Sequence, residues 1–188
     1  MKRTIHILII LILCNSCNGQ SKEFKNYDIC FAEILRKNLI DTSDISVIID
    51  KSDYKLTMVS DTLILKEYPV VFGRNAIDDK LIQGDNCTPE GTFYMKDKYK
   101  HQKWSRFIWI NYPTDDSWKN FNQAISKGKI PKNSKIGGEI GIHGVPEGKD
   151  YVIEFKFNWT KGCISMKNVD VNEIYPYITK STKIIIKK

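Results

Sequence analysis

Two reactive side chains, His143 and Cys163, each end a short apolar run and lie beside glycine. His143 falls in the stretch 140–146, IGIHGVP, and Cys163 in the stretch 159–166, WTKGCISM. Glycine permits close backbone approach to a substrate and dihedral angles that other residues avoid. The combination is typical of a cysteine nucleophile that works with a histidine base.

Such a pair suits acyl transfer. A thiol is only slightly ionised near neutral pH, the thiolate is the nucleophile, and a nearby imidazole lowers the thiol pKa and later protonates a leaving amine. The backbone N–H groups of Gly162 and Cys163 are expected to stabilise the tetrahedral intermediate, and a backbone carbonyl near Gly144 to orient the imidazole. Spacing alone leaves the alternative open, because a buried cysteine is usually inert and a histidine in an apolar strand is often a core residue.

The blocks around both residues resemble the signature of the YkuD-type L,D-transpeptidases. That family carries a His-Gly pair and then a Ser/Thr-His-Gly-Cys block, with a hydrophobic residue and an asparagine downstream. The matching residues here are His143, Gly144 and the stretch 160–168, TKGCISMKN. Further resemblance lies at residues 70–75, 88–93, 111–113 and 137–144, so that it extends from about residue 45 to the C-terminus.

The resemblance implies a mainly β, β-sandwich-like catalytic domain at residues 45–188 with a few peripheral helices, and it implies no metal or organic cofactor. Cys163 would attack the peptidoglycan stem-peptide bond before the terminal D-Ala, assisted by His143, and form a thioester acyl-enzyme. An amine would then accept the acyl group, which gives a cross-link between two stems or attaches an envelope protein. Gly162, Gly144 and Thr160 are the expected orienting or oxyanion residues, and carbapenems are expected to inhibit through the same thiol.

Two positions depart from the family pattern. Lys161 stands in place of the second histidine, and Ser165 in place of an arginine two residues after the cysteine. Lys161 is expected to replace that arginine in holding an anionic substrate group. Lys161, Ser165, Tyr112 and Trp159 are therefore the predicted substrate-binding residues, although core packing is an equally open interpretation of the two aromatic residues.

The departures resemble family members that hydrolyse peptidoglycan amides. An L,D-carboxypeptidase or amidase that uses the same Cys/His site is therefore one alternative function. A non-catalytic lipoprotein that only binds peptidoglycan is another, although the intact pair of Cys163 and His143 argues against it.

The first twenty residues have the pattern of an export signal. Lys2 and Arg3 precede an apolar run at residues 5–13, which is too short to remain as a membrane-spanning helix. The stretch resembles a bacterial lipoprotein signal at residues 1–16, with Cys17 as the acylated residue and residues 17–25 as a tether; a plain secretory signal is the alternative. Acyl chains on Cys17 would anchor the protein to a membrane in the cell envelope, facing the periplasm.

The composition is that of one globular domain. The chain has 188 residues, 41% of them hydrophobic, and a net charge of +7 from 29 Lys+Arg and 22 Asp+Glu. Few of the basic residues are arginine, and no basic cluster is interleaved with aromatic residues, so nucleic-acid binding is not expected. Five cysteines without a second CxxC pair exclude a zinc site of that type and a dense disulfide framework.

Hydrophobic periodicity predicts one helix followed mostly by strands. A helix is predicted at residues 24–40, and the domain division assigns residues 26–44 to an N-terminal helical segment. Strands are predicted at 46–50, 54–59, 62–65, 68–73, 91–95, 106–111, 140–144 and 183–186. Further helices are predicted at 117–127, and at 169–178 after an Asn168 cap. Of the other reactive residues, Cys30 is expected to face the core, Cys87 to be a free thiol in a loop and His101 to be exposed.

Overall fold

The computed structural model describes residues 24–188, so the predicted signal peptide and Cys17 lie outside the described residues. The strands are β1 (Ile45–Asp50), β2 (Lys55–Ser60), β3 (Leu63–Pro69), β4 (Gly91–His101), β5 (Ser105–Ile110), β6 (Gly141–His143), β7 (Ile164–Ser165) and β8 (Lys183–Lys187). The helices are α1 (Phe31–Asn38), α2 (Asp115–Ser126), α3 (Tyr151–Glu154) and α4 (Asn168–Ile174). The predicted mainly β fold with a few helices is confirmed. Across the described part of the chain, none of the helices has the length and apolar character needed to cross a membrane.

The strands form one sheet in the order β3-β2-β1-β8-β4-β5-β6-β7. The sequence of β1 explains why this segment forms a strand with one buried face. Ile45, Val47 and Ile49 alternate as buried residues, so that face packs on the core. β4 belongs to both halves of the sheet, because residues 91–94 pair with β8 and residues 95–101 pair with β5. A register shift between Met95 and Asp97 marks the point where the partner strand changes.

The two edges of the sheet, β3 and β7, are joined by the residues that follow β3. Val71, just after β3, exchanges two backbone hydrogen bonds of 2.8 Å with Ser165 in β7. Gly73 forms a further bridge to Thr160. The predicted strands at 62–65 and 68–73 are therefore organised differently, because β3 runs continuously to Pro69 and the residues after it cross to β7. This closure places the segment before Cys163 against the opposite end of the sheet.

The N-terminal helix is shorter than predicted. α1 begins after Cys30, which has an extended ψ of 130°, and ends before Leu39, which adopts a left-handed φ of 53°. The earlier aromatic residue, Tyr27, packs from a turn instead, and its hydroxyl donates to both oxygens of Asp170 at 2.9 and 3.0 Å. Cys30 is exposed, which corrects the expectation that it faces the core.

The later helices also differ at their starts. α2 begins at Asp115, and Thr114 caps it by accepting a hydrogen bond from the Ser117 N–H. α4 begins at Asn168, one residue before the prediction, with Lys167 at the cap position. The Asn168 side chain does not cap the helix but accepts a hydrogen bond from the Val145 N–H at 3.0 Å, beside the candidate site.

A buried ionic cluster ties the N-terminal helix to the domain. Glu173 accepts hydrogen bonds from the Phe31 N–H at 2.8 Å, from the Lys66 ammonium at 2.8 Å and from the Tyr68 hydroxyl at 2.7 Å. Lys66 is 3% exposed. The cluster therefore joins α4, β3 and the start of α1 through one carboxylate.

Glu173→Ala is expected to lower the free energy of unfolding by about 3 kcal/mol, because it leaves the buried Lys66 ammonium without its carboxylate partner. The measurement is urea unfolding followed by circular dichroism. Glu154→Ala is the matched control, since its ion pair with Lys167 is half exposed and such pairs contribute little. Equal stability of the two variants would contradict the assigned role of Glu173.

Candidate active site

Strands β6 and β7 bring His143 and Cys163 to one face of the sheet. The two strands are parallel, with Ile142 opposite Ile164 and His143 opposite Ser165. Cys163 directly precedes β7 and is therefore level with Gly141. Because side chains alternate along a strand, Cys163 and His143 are diagonal neighbours on the same face.

The His143 ring is oriented by a backbone carbonyl. Its Nδ1 lies 2.6 Å from the Gly144 oxygen, and a carbonyl only accepts, so Nδ1 carries the proton. Nε2 is then the unprotonated nitrogen and is able to accept a proton. The residue is 1% exposed, and burial lowers the pKa of His143 to about 4, so the ring is neutral at pH 7.

Aromatic rings surround His143. Trp104 stacks on it with centroids 4.4 Å apart at 23°, and Phe107 lies parallel at 5.8 Å. Trp159 meets it edge-on at 5.6 Å. These contacts restrain the plane of the imidazole.

Gly144 is required at its position by close neighbours. Its carbonyl accepts from His143 and also from the Ser165 hydroxyl at 3.3 Å, and its N–H donates to the Trp104 carbonyl at 3.0 Å. A Cβ atom there would lie 2.1 Å from the Asn168 Oδ1 and 2.7 Å from the Trp104 oxygen. A side chain fits at this position only if Asn168 moves and the backbone of Trp104 or Gly144 also shifts.

A tight turn presents Cys163. The Thr160 hydroxyl donates to the Cys163 carbonyl at 2.7 Å and accepts from the Gly162 N–H at 3.1 Å. Gly162 has a φ of +138°, and a Cβ there would lie 2.7 Å from the Cys87 carbonyl. The Gly162 N–H is thus engaged inside the turn, which corrects its expected role as an oxyanion donor. Thr160 orients the turn rather than a substrate.

The Cys163 thiol is half-buried and protonated at rest. Its Sγ donates to the Glu139 carbonyl at 3.5 Å. Burial raises its pKa to about 11, the Gly141 N–H and the Lys80 ammonium lower it, and the Glu139 carboxylate raises it. The expectation of a lowered thiol pKa is therefore wrong for the free protein, because desolvation outweighs the groups that favour the thiolate.

Two predicted substrate-binding residues prove to be internal. Ser165 is fully buried and bonds to the Gly144 carbonyl, so its hydroxyl faces the fold rather than a substrate. Tyr112 is 5% exposed, packs edge-on against Phe93 and donates to the Ile136 carbonyl at 3.5 Å. Core packing, the open alternative for Tyr112, is the arrangement observed.

The other two predicted residues lie next to His143 and Cys163. Lys161 is exposed on the turn that presents Cys163. Trp159 is half-buried against His143, and its indole N–H is buried with no hydrogen-bond partner among residues 24–188. A role for Lys161 and Trp159 in substrate binding stays a prediction.

The sequence analysis missed the aromatic residues of β4, β5 and the turn between them, which lie beside His143. His101, expected to be exposed, is half-buried and stacks on Trp104 with centroids 4.2 Å apart. Cross-strand pairing aligns Tyr99 with Phe107 and Phe107 with His143 in one row. The alternation of Tyr99 and His101 along β4 is a signal that places their side chains on one face, but the row depends on the register of three strands.

No group of three or more His, Cys, Asp and Glu side chains within residues 24–188 is arranged to hold a metal ion.

Alkylation of Cys163 is expected to be slow at pH 7 and to accelerate with rising pH towards about 11, because burial disfavours the thiolate. The measurement is the iodoacetamide labelling rate of the Cys163 peptide by mass spectrometry across pH. Cys30, an exposed thiol, serves as an internal control for reagent and unfolding. A labelling rate that reaches its plateau below pH 8 would contradict the neutral pair and favour a preformed thiolate–imidazolium pair.

Comparison with known proteins agrees with this geometry. Residues 44–186 match the family model described as YkuD, the L,D-transpeptidase catalytic domain. No curated protein sequence matches the chain.

Solved structures share the fold at low sequence identity. Pgp2 of Campylobacter jejuni, described as a helical cell shape determining protein, is 22% identical with a TM-score of 0.56, over 86% of this chain and 55% of that one. Bd1075 of Bdellovibrio bacteriovorus is 20% identical with a TM-score of 0.52, over 77% and 48%. An L,D-transpeptidase of Mycobacterium smegmatis is 13% identical with a TM-score of 0.50, over 77% and 59%. The match thus spans about half of each of these longer chains.

The family match covers most of the chain, and the solved structures have the same fold. The chain therefore belongs to the YkuD family of L,D-transpeptidase catalytic domains.

Proposed function

We propose that this protein is a peptidoglycan L,D-transpeptidase with Cys163 as nucleophile and His143 as general base. The observation that carries the proposal is the hydrogen bond from His143 Nδ1 to the Gly144 carbonyl. It leaves Nε2 free to accept a proton, on the face of the sheet where Cys163 also lies. The family match supports the reaction class.

The reaction starts from a neutral pair. As the Cys163 sulfur attacks the carbonyl before the terminal D-Ala, its proton moves to Nε2 of His143. The imidazolium then gives that proton to the departing D-Ala amine, and a thioester remains. An acceptor amine next attacks the thioester while His143 takes its proton, and the proton returns to the sulfur as the thiolate leaves.

Transfer of the Cys163 proton to His143 during the attack of the sulfur is consistent with the pKa values of the two groups. With the pKa of His143 at about 4 and that of Cys163 at about 11, an ion pair at rest is disfavoured. The developing oxyanion needs a donor other than the Gly162 N–H, which is already used inside the turn. We assign this role to the Cys163 N–H, the next donor along the chain.

The proposed substrate, peptidoglycan, is a polymer of the cell envelope, so the protein is expected to act there. Peptidoglycan stem peptides supply the acyl donor, and a second stem or an envelope protein supplies the amine. Anchoring of the protein to the membrane through Cys17, and inhibition by carbapenems at Cys163, belong to the same proposal. The fold shared with Pgp2 supports a role in cell wall biogenesis that affects cell shape.

The test is mass spectrometry of a disaccharide-tetrapeptide incubated with the purified protein, with the Cys163→Ala variant as the blank. The expected product is a cross-linked dimer that has lost one D-Ala, absent from the blank. A tripeptide product alone would replace the transpeptidase by a carboxypeptidase that uses the same thiol. No product and no carbapenem adduct on Cys163 would favour a module that only binds peptidoglycan.

A further inference from the structure

We infer that Trp104 and His101 are positioning residues for the general base His143, held in place by the turn between β4 and β5. This inference rests on the proposed function of His143. It assigns a catalytic purpose to a pair of rings outside the family motif.

The three rings form a continuous stack. Trp104 lies against the His143 imidazole with centroids 4.4 Å apart at 23°, and against the His101 imidazole with centroids 4.2 Å apart at 7°. The hydrogen bond to Gly144 restrains one atom of the His143 ring. A stacked indole restrains the plane of the ring, which decides where Nε2 points.

Trp104 also acts through its backbone. Its carbonyl accepts the Gly144 N–H at 3.0 Å, and Gly144 in turn provides the carbonyl that accepts from His143 Nδ1 at 2.6 Å. The side chain and the main chain of one residue therefore fix both the plane of the imidazole and the acceptor that selects its tautomer.

His101 stabilises the turn that carries Trp104. Its Nδ1 accepts the Lys103 N–H at 3.1 Å and the Trp104 N–H at 3.2 Å. Ser105, the next residue, adopts a left-handed φ of 59° and donates its hydroxyl to Asn172 at 2.9 Å. A non-glycine residue keeps such a backbone conformation only where its surroundings require it, and such residues are concentrated at functional sites.

Four substitutions separate the effect of the stacked rings from the effect of the His101 hydrogen-bond acceptor. Trp104→Leu removes the stacking face, whereas Trp104→Phe keeps an aromatic face. His101→Asn keeps a side-chain acceptor for the turn without the stacked ring, whereas His101→Phe keeps a ring without the acceptor. Trp118→Leu is the control, because Trp118 is exposed on α2, outside this stack.

The first readout needs no substrate. In the full-length protein, with nitrogen-15-labelled histidine, we expect the wild-type His143 signals to be those of a single Nδ1–H tautomer. Trp104→Leu is expected to give mixed tautomers or exchange broadening, because a His143 ring free to tilt loses part of its hydrogen bond to the Gly144 carbonyl. Trp104→Phe is expected to restore most of the single state. An unchanged His143 tautomer in folded Trp104→Leu would overturn the inference.

The second readout is kinetic. Trp104→Leu is expected to lower kcat by about 10- to 100-fold, as misplacement of a catalytic group does, with KM changed less than about threefold. A loss confined to KM would make Trp104 a substrate contact and overturn the positioning role. If the wild type shows no turnover but the tautomer changes as expected, the proposed function fails and the positioning of His143 stands.

Discussion

His143→Asn is expected to lower turnover on the tetrapeptide donor by about 10²- to 10⁴-fold, the usual contribution of a general base. The asparagine amide can still donate to the Gly144 carbonyl, which His143 Nδ1 does at 2.6 Å. Its amide oxygen accepts hydrogen bonds but is not basic enough to take up the Cys163 proton. The substitution therefore removes proton transfer while it retains the orienting hydrogen bond.

The measurement is kcat and KM by product mass spectrometry, with Cys163→Ala as the blank. Chemical unfolding at pH 7 checks that the variant is folded. Turnover within a few fold of wild type, from a folded variant, would remove His143 from the mechanism.

The same variant tests the pKa of His143 through stability. The folded-state pKa of about 4 lies below the ordinary 6.5, so the unfolded chain binds the proton first as pH falls. Wild-type stability from this group is complete above pH 6.5 and decreases towards pH 4, by about 3 kcal/mol in total. Asp170, with a pKa raised to about 6 by burial, acts in the opposite direction, so the comparison is the difference between wild type and His143→Asn across that range.

Gly144→Ala is expected to lower turnover by at least about tenfold and the free energy of unfolding by about 2 kcal/mol. The new Cβ atom would lie 2.1 Å from the Asn168 Oδ1 and 2.7 Å from the Trp104 carbonyl oxygen. One of these groups or the Gly144 backbone must move. The Asn168 side chain can turn away, but relief of the contact with the Trp104 backbone displaces Gly144, whose carbonyl orients His143.

Kinetics and urea unfolding of Gly144→Ala are compared with those of Gly138→Ala, where a Cβ atom meets nothing within 4 Å. The Gly144→Ala, Asn168→Ala double variant removes the closer contact but keeps the one with the Trp104 backbone, so at most partial recovery is expected. Wild-type turnover in Gly144→Ala would show that the Gly144 carbonyl does not set the geometry of the base.

His143 and Cys163, the proposed catalytic pair, could be singled out from sequence because their signals are local. A histidine and a cysteine, each followed or preceded by glycine at the end of an apolar run, identified His143 and Cys163. The structure then adds the reason for the glycines: Gly144 has a carbonyl oxygen and an amide oxygen against it, and Gly162 has a left-handed φ beside the Cys87 carbonyl. Most strands were predictable for the same reason, since alternation such as that of Ile45, Val47 and Ile49 is readable within one segment.

Burial at the site could not be predicted, because it depends on residues distant in sequence. Ser165 was expected to contact substrate but is covered where Val71 crosses from β3 to β7. For Tyr112 the sequence left a substrate contact and core packing equally open, and the residue packs on Phe93 in the core. In both cases contacts between segments distant in sequence decide which side chains water can reach.

The amino-acid sequence by itself determined the mainly β class and the family, and it singled out the two residues that we propose as nucleophile and base. Only the tertiary structure decided the protonation and orientation of these two side chains. Desolvation raises the pKa of Cys163 and lowers that of His143. The register of β4, β5 and β6 brings Trp104 against the His143 imidazole and His101 against Trp104. Residue types and local spacing define which groups can react, whereas solvent exclusion and cross-strand packing arise only when distant segments meet.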